Sequence, residues 1–257
     1  MPVTERTEER AQHYDVLFAQ GALREATAFY RWVLRALDAP PGARLLDVAC
    51  GQGLLLAEAQ RHGLMAHGVD FAHEAVEASR RAAPGAAVLL ANGERLPYDD
   101  ASFDCVACLG SLEHYEDPWQ GAREIRRVLR PGGRAAIVLP NAYYLADILW
   151  HVWRTGRGPS HKQDLERFAI IREWGDLLAM MGLAPRRVRP YNFLWPRSLA
   201  DWRWYLRRPR KLLYLLSGLV TPRNLSCQFL YLCEVAEPRP ELNARLPFAL
   251  RRPAAWR

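Results

Sequence analysis

Residues 44–53 read Arg-Leu-Leu-Asp-Val-Ala-Cys-Gly-Gln-Gly, and residues 54–63 continue as LLLAEAQRHG. The apolar run ending in small residues predicts a buried strand over 44–49. Gly51 and Gly53 predict a tight turn, and the apolar spacing beyond them predicts a helix over 53–63 closed by Gly63. A buried strand that passes through a glycine turn into a helix is the first half of a βαβ unit.

The same alternation continues downstream. Strands are expected at 65–70 (MAHGVD), 86–91 (AAVLLA), 103–109 (FDCVACL) and 134–140 (RAAIVLP). Helices are expected at 73–83 and at 117–130, the latter capped by Asp117 and stopped by Pro131-Gly132-Gly133. Beyond these, 142–154 and 164–182 read as helices, and 186–194 and 225–235 as the sixth and seventh strands. Upstream, apolar positions such as Val16, Phe29, Val33 and Leu34 predict one or two helices before Asp38-Ala-Pro-Pro-Gly. The expected fold class is therefore α/β, doubly wound, with a mainly parallel seven-stranded sheet. The expected segments are a helical N-terminal cap, 1–39, and a main domain, 40–237. Within the main domain lie a cap over 142–182 and a helical, basic and aromatic insertion over 198–222. A Pro/Arg-rich tail, 238–257, is read as a loosely ordered arm.

Composition bounds the function. The chain has 257 residues, half of them apolar and a quarter charged, which excludes disorder and a mini-protein. The opening MPVTERTEER has no apolar run behind a basic region, and the longest apolar stretch, near Leu212–Val220, is short of a bilayer span. A soluble, cytoplasmic chain is expected. Five cysteines, an odd number, do not suggest a disulfide framework and fit a reducing compartment. Cys105 and Cys108 are three apart in a strand and point to opposite faces, so they are read as structural. The net charge of +7 is unevenly spread: residues 1–140 hold 15 basic against 19 acidic residues, and 141–257 hold 20 against 9. The second half also holds seven of the nine tryptophans, a combination that suits an anionic ligand, a membrane surface or nucleic acid.

In a doubly wound sheet, ligands sit beyond the carboxyl ends of the strands, where the strand order reverses. After the first strand stand Asp47, Ala49, Gly51 and Gly53, leading into a helix N-terminus. A dinucleotide loop would carry a third glycine at 56, where Leu56 stands. The two glycines alone fit a plain tight turn equally well. Asp70 ends the second strand, 23 residues after Asp47, and can accept two hydrogen bonds from a vicinal diol. Asn92-Gly93-Glu94 follows the third strand, and Leu109-Gly110-Ser111 with Glu113-His114-Tyr115 follows the fourth.

LLDVACGQG, GVDFA, NGERLPYDDASFDCVACLGSLEHYEDP and RVLRPGGRAAIVLPN, in this order, resemble the class I S-adenosylmethionine-dependent methyltransferases. The likeness is to the small-molecule type that includes ubiquinone and menaquinone methyltransferases, and it covers roughly 40–141. It implies S-adenosyl-L-methionine as cofactor. By the same resemblance, Asp47 would orient the loop and the methionine amino end, with Ala49, Gly51 and Gly53 in the cofactor loop. Asp70 would hold the ribose, Phe71 would pack on the adenine, Asn92, Gly93 and Glu94 would border its edge, and Leu109 would meet the methionine. The family often has glycine where Ala49 stands, which should tighten the turn slightly. No histidine pairing suggests a metal ligand set, and none is expected.

The implied reaction is in-line displacement at a sulfonium methyl group, for which the protein positions an acceptor and removes its proton where needed. His114 and, within GPSHKQDLERF, His161 are the candidate acceptor-site groups. For His114 an ordinary loop role stands beside the catalytic one. Tyr143, Tyr144 and Tyr191 are candidate cavity walls, with core packing as the other reading. The run after the fourth strand is Leu-Gly-Ser-Leu, without the Asn-Pro-Pro or Pro-Cys signatures of base methylation. Expected, then, is O- or C-methylation of an aromatic or lipid-like small molecule, with nucleic acid disfavoured. Two rivals remain: a non-catalytic cofactor-binding assembly or regulatory protein, and a nucleic-acid methyltransferase. The 198–222 insertion reads either as a helical lid or as a peripheral membrane contact.

Overall fold

The structure, a computed structural model, describes residues 14–16, 25–157, 167–247 and 250–251, the side chain of Trp150 excepted. The core elements run β1 (Arg44–Val48), α2 (Leu54–Arg61), β2 (Met65–Asp70), α3 (His73–Ala82), β3 (Ala87–Leu90), β4 (Phe103–Leu109), α4 (Pro118–Val128) and β5 (Leu129–Pro140). Helix α1 (Thr27–Leu37) precedes them. A short helical segment over 145–155, α5, follows, and then α6 (Ile171–Met180), β6 (Leu183–Tyr191), α7 (Leu199–Leu206), α8 (Pro209–Ser217) and β7 (Gln228–Val235). One seven-stranded sheet has the order β3-β2-β1-β4-β5-β7-β6. β7 pairs antiparallel with both β5 and β6, and every other pairing is parallel. The strand order reverses between β1 and β4, so their carboxyl ends open a crevice.

Apolar residues alternate between two cores, one on each face of the sheet. Leu46, Val48, Ile137 and Leu139 face the helices α4 and α6, through Ile125, Val128, Trp174 and Leu177. Leu45, Ala107, Ala136 and Val138 face α1 and α2, through Phe29, Val33, Leu37 and Leu55. Cys108 lies in the first core and Cys105 in the second, so the two thiols are on opposite faces as the strand period requires. All five cysteines are free, and burial pushes the Cys105 thiol up to about 11 and that of Cys108 to about 12.

Several boundaries differ from the sequence reading. β5 begins at Leu129, not at 134, because Leu129 pairs with Phe103 across a bulge and Pro131 falls in that irregular stretch. β6 begins at Leu183, not 186: Gly182 turns at φ +81° straight into it. Pro185 and Pro190 are tolerated there because β6 is an edge strand and its open side needs no N–H. The helix expected from 164 starts at Ile171, since Ala169 is held extended in a bridge to Asn141. The 238–257 tail is not a loose arm in its described part. Leu242, Leu246 and Leu250, four residues apart, are buried in the first core, and Trp119 Nε1 donates to the Leu250 carbonyl at 3.2 Å. No helix among the described residues is long and apolar enough to cross a membrane.

Candidate active site

The β1–α2 loop turns on three residues in the left-handed region: Ala49 (φ +58°), Gly51 (+54°) and Gly53 (+71°). For glycine this costs little, whereas Ala49 carries a Cβ and is strained by about 1 kcal/mol. The loop is tied down from two sides. Asp70 accepts from Gly51 N–H at 2.9 Å and from Ala72 N–H at 3.0 Å. Ser79, fully buried on α3, donates to the Gly51 carbonyl at 2.8 Å and lies 3.3 Å from Cys50 Sγ. Gly53 packs on α3: a Cβ there would lie 2.7 Å from Ser79 Cα. Gly53 therefore sets the approach of loop to helix and is not among the residues lining the cavity. The glycine absent at 56 is replaced from the other side. Leu56 is wholly buried against Gly68 of β2, where a Cβ would sit 2.7 Å from its Cδ1.

Asp47 and Asp70 are both nearly inaccessible. Burial raises the Asp70 carboxyl to about 6 despite three backbone N–H donors. Burial, reinforced by the neighbouring Asp70, pushes Asp47 well above the ordinary range. Two buried carboxylates facing one crevice favour a cationic or hydroxyl-rich guest, whose binding would offset their desolvation.

That crevice is a cavity of about 460 Å³ at the carboxyl ends of β1, β4 and β5. Asp47, Ala49, Gly51, Asp70, Phe71, Leu109 and His114 all line it. A smaller recess of about 40 Å³ adjoins it, lined by Asn92, Gly93 and Glu94, with Ala49, Phe71 and Tyr115 common to both spaces. The recess residues are not all available to a guest. Glu94 accepts from the backbone N–H of Glu116 (2.9 Å) and Asp117 (3.3 Å), so it fastens the loop after β4. Asn92 Oδ1 accepts from Glu94 N–H at 2.8 Å. Gly93 is small because the Tyr115 hydroxyl fills the place of a Cβ, 2.1 Å from where that atom would stand. Phe71 meets Tyr14 edge-on with ring centroids 5.3 Å apart.

The cavity wall also brings together residues distant in sequence. His114 sits on a short 3-10 turn (Leu112–His114), its Nε2 3.7 Å from Glu113 Oε1. Glu25, which the sequence did not single out, is half-buried in the cavity wall and accepts from the Tyr191 hydroxyl at 2.8 Å. Burial raises its carboxyl above the usual range, against the opposing pull of Lys211, Tyr191 and Arg208. Lys211 rests on the Phe193 ring at 4.4 Å and Arg208 on the Trp204 ring at 4.8 Å, and both line the cavity although they belong to the insertion. Of the three tyrosines, Tyr191 acts behind the wall through Glu25, Tyr144 is buried edge-on to Tyr214, and Tyr143 faces outward. Asn141, just past β5, also lines the cavity and donates to the carbonyls of Asn224 and Ser226 at 2.9 and 2.8 Å, fastening β5 to the approach to β7. His161 lies outside the described residues. Among the described residues no group of three or more His, Cys, Asp or Glu is placed to hold a metal ion.

The methyltransferase-domain family model matches residues 46–137, the stretch that runs from β1 into β5. Over 146 residues the chain is 36% identical to the 27-O-demethylrifamycin SV methyltransferase of Amycolatopsis mediterranei, covering 52% of this chain and 54% of that one. Over 127 residues it is 34% identical to the demethylmenaquinone methyltransferase of Beutenbergia cavernae, covering 49% and 53%. The chain spans about half the length of these curated relatives. In fold it is similar to the geranyl diphosphate C-methyltransferase of Streptomyces coelicolor A3(2), with TM-score 0.64, 15% identity, and coverage of 92% of this chain and 100% of that one.

Proposed function

We propose that this chain transfers the methyl group of S-adenosyl-L-methionine to oxygen or carbon of a small molecule, aromatic or lipid-like. The observation that carries the reading is one continuous cavity whose wall holds two chemically different sets of groups. Asp70, Phe71, Asp47 and the Gly51 loop offer a diol acceptor, an aromatic face, a second carboxylate and close backbone approach. Elsewhere in the same wall stand Glu25, close enough to Lys211 and Arg208 to feel their charge, and His114. In this reading Asp70 holds the ribose hydroxyls, Phe71 packs on the adenine, Asp47 and the loop take the amino acid tail, and Leu109 borders it. Asn92 and Gly93 edge the adenine, while Glu94 holds the loop that carries Glu116 and Asp117. When bound, the cofactor supplies an electrophilic methyl group on a positively charged sulfur.

The chain's own work is to orient the acceptor and take up its proton. Glu25, whose carboxyl burial raises above its ordinary range and which accepts from Tyr191, is the proposed base. His114 borders the same space. Arg208 and Lys211 would stabilise negative charge developing on the acceptor. The working place proposed is the cytoplasm, with peripheral membrane contact through 198–222. The function is tested by incubating the protein with methyl-labelled S-adenosylmethionine and cell extract and identifying the labelled product. Label in a small molecule supports the reading. Label only in nucleic acid or protein, or none above a heat-inactivated control, overturns it.

A further inference from the structure

Three helices around the cavity carry apolar side chains on both faces. α7 buries Tyr205 and α8 buries Leu215, and the residues just before α5 bury Tyr144, whose ring meets Tyr214 of α8 with centroids 5.8 Å apart. These contacts seat α5, α7 and α8 on the body of the protein. The opposite faces are apolar too. On α5 Leu149, Val152 and Trp153 are exposed; on α7 Leu199, Trp202 and Leu206; on α8 and its exit Leu213, Leu216 and Leu219. Each set follows the spacing of one helix face. Trp153 and Leu199 are each 83% exposed and Val220 79%, values expected of lysines rather than of large apolar groups. Of the sixteen large apolar side chains exposed among the described residues, twelve lie in 143–157 and 195–225, so exposure is concentrated and not scattered.

The same two stretches hold nine Arg or Lys against two Asp, a net of +7, equal to the net charge of the whole chain. The two acids do not face outward: Asp201 is buried, accepting from Ala28 N–H and Arg197 N–H, and Asp147 lines the cavity. Arg208 and Lys211 are likewise turned to the cavity. Arg203, Arg207 and Arg210 are exposed beside the apolar stripes, and none makes an ion pair among the described residues. A nucleic-acid interface would place polar groups between its cations, because a phosphate backbone has no use for Leu199, Leu206 or Val220. Leucine and tryptophan interleaved with arginine match an interface that is anionic at its surface and apolar beneath.

We propose that α5, α7 and α8 form one docking surface for an anionic bilayer, wider than the insertion alone, with the cavity opening beside it. The placement follows from Asp147 of α5, Lys211 of α8 and Arg208 between α7 and α8, all of which line the cavity. The claim concerns the surface and stands apart from the methyl-transfer reading. Its test is co-sedimentation with phosphatidylcholine vesicles containing 30% phosphatidylglycerol, compared with pure phosphatidylcholine. Measurements are made at low and high salt, with titration of S-adenosylhomocysteine as a separate readout of the cavity. The wild type should bind the anionic vesicles at least about tenfold more tightly than the neutral ones, with the difference shrinking at high salt. Trp153→Asp combined with Leu199→Asp and Val220→Asp should lose at least about tenfold in vesicle binding while keeping the wild-type melting temperature. Arg203, Arg207 and Arg210→Gln should remove the preference for anionic lipid. Absence of wild-type binding, unchanged binding in the Asp variant, or a dimer that these Asp substitutions dissociate would overturn the proposal. So would RNA that displaces the vesicles.

Discussion

Asp70→Asn should make the chain more stable and worse at binding its nucleoside ligand, a pair of effects that a merely structural residue does not give. The wild-type carboxyl titrates near 6 in the fold and at 3.8 in a free chain. The difference corresponds to about 3 kcal/mol against folding once both states are ionised. Between these values the folded state holds a proton that the unfolded state has released, so stability falls as pH rises from about 4 to 6 and stays low above it. Asn removes that penalty, but its amide nitrogen cannot accept from Gly51 or Ala72, which returns about 1 kcal/mol. The expected net gain is about 2 kcal/mol at pH 8, vanishing near pH 4 where the wild-type carboxyl is protonated in the fold. Urea unfolding at the two pH values measures it. S-adenosylhomocysteine, titrated calorimetrically, should bind Asp70→Asn at least about tenfold more weakly, and should lose affinity for the wild type about tenfold per pH unit below 6. Lower stability of the variant at pH 8, or an affinity unchanged by substitution and flat from pH 5 to 7, would refute the reasoning.

Ala49→Gly should relieve the strain at φ +58° and raise stability by up to about 1 kcal/mol, read as a higher urea midpoint at unchanged slope. Leu246→Ala, in the segment first read as a loose arm, should cost about 3 kcal/mol, whereas a tail without packing would show almost no change in melting temperature. Glu25→Gln should lower kcat by about a hundredfold with S-adenosylhomocysteine affinity unchanged. In the wild type the rate should fall as pH drops through a value above the ordinary glutamate range, since the base is then protonated, and a wild-type profile retained by the variant would remove Glu25 from the reaction.

The strands were legible because a parallel sheet covered on both faces demands apolar runs, and RLLDV and FDCVACL carry that demand in consecutive residues. The meeting of Asp47, Gly51 and Asp70 was legible for a related reason: they lie at or just past the carboxyl ends of β1 and β2, where topology alone brings them to one crevice. The surroundings of Glu25 were not. Glu25 meets Tyr191 across 166 residues, and no local pattern marks a contact of that span. Arg208 and Lys211 belong to the basic insertion, where nothing local marks them as facing a cavity; the Phe193 ring beneath Lys211 lies outside that insertion, and the Glu25 carboxylate lies far away in sequence. The tail misled through composition, because its arginines and prolines masked leucines spaced four apart. Gly93 was read as bordering an adenine edge, and its missing Cβ also makes place for the Tyr115 hydroxyl, a contact no local pattern marks.

Crystals grown with S-adenosylhomocysteine test the central claim most directly. The account predicts the ribose hydroxyls on Asp70, the adenine against Phe71 and the amino acid tail over the Gly51 loop, with space left toward Glu25 and His114. A ligand seated elsewhere, or a crevice that admits none, would contradict it.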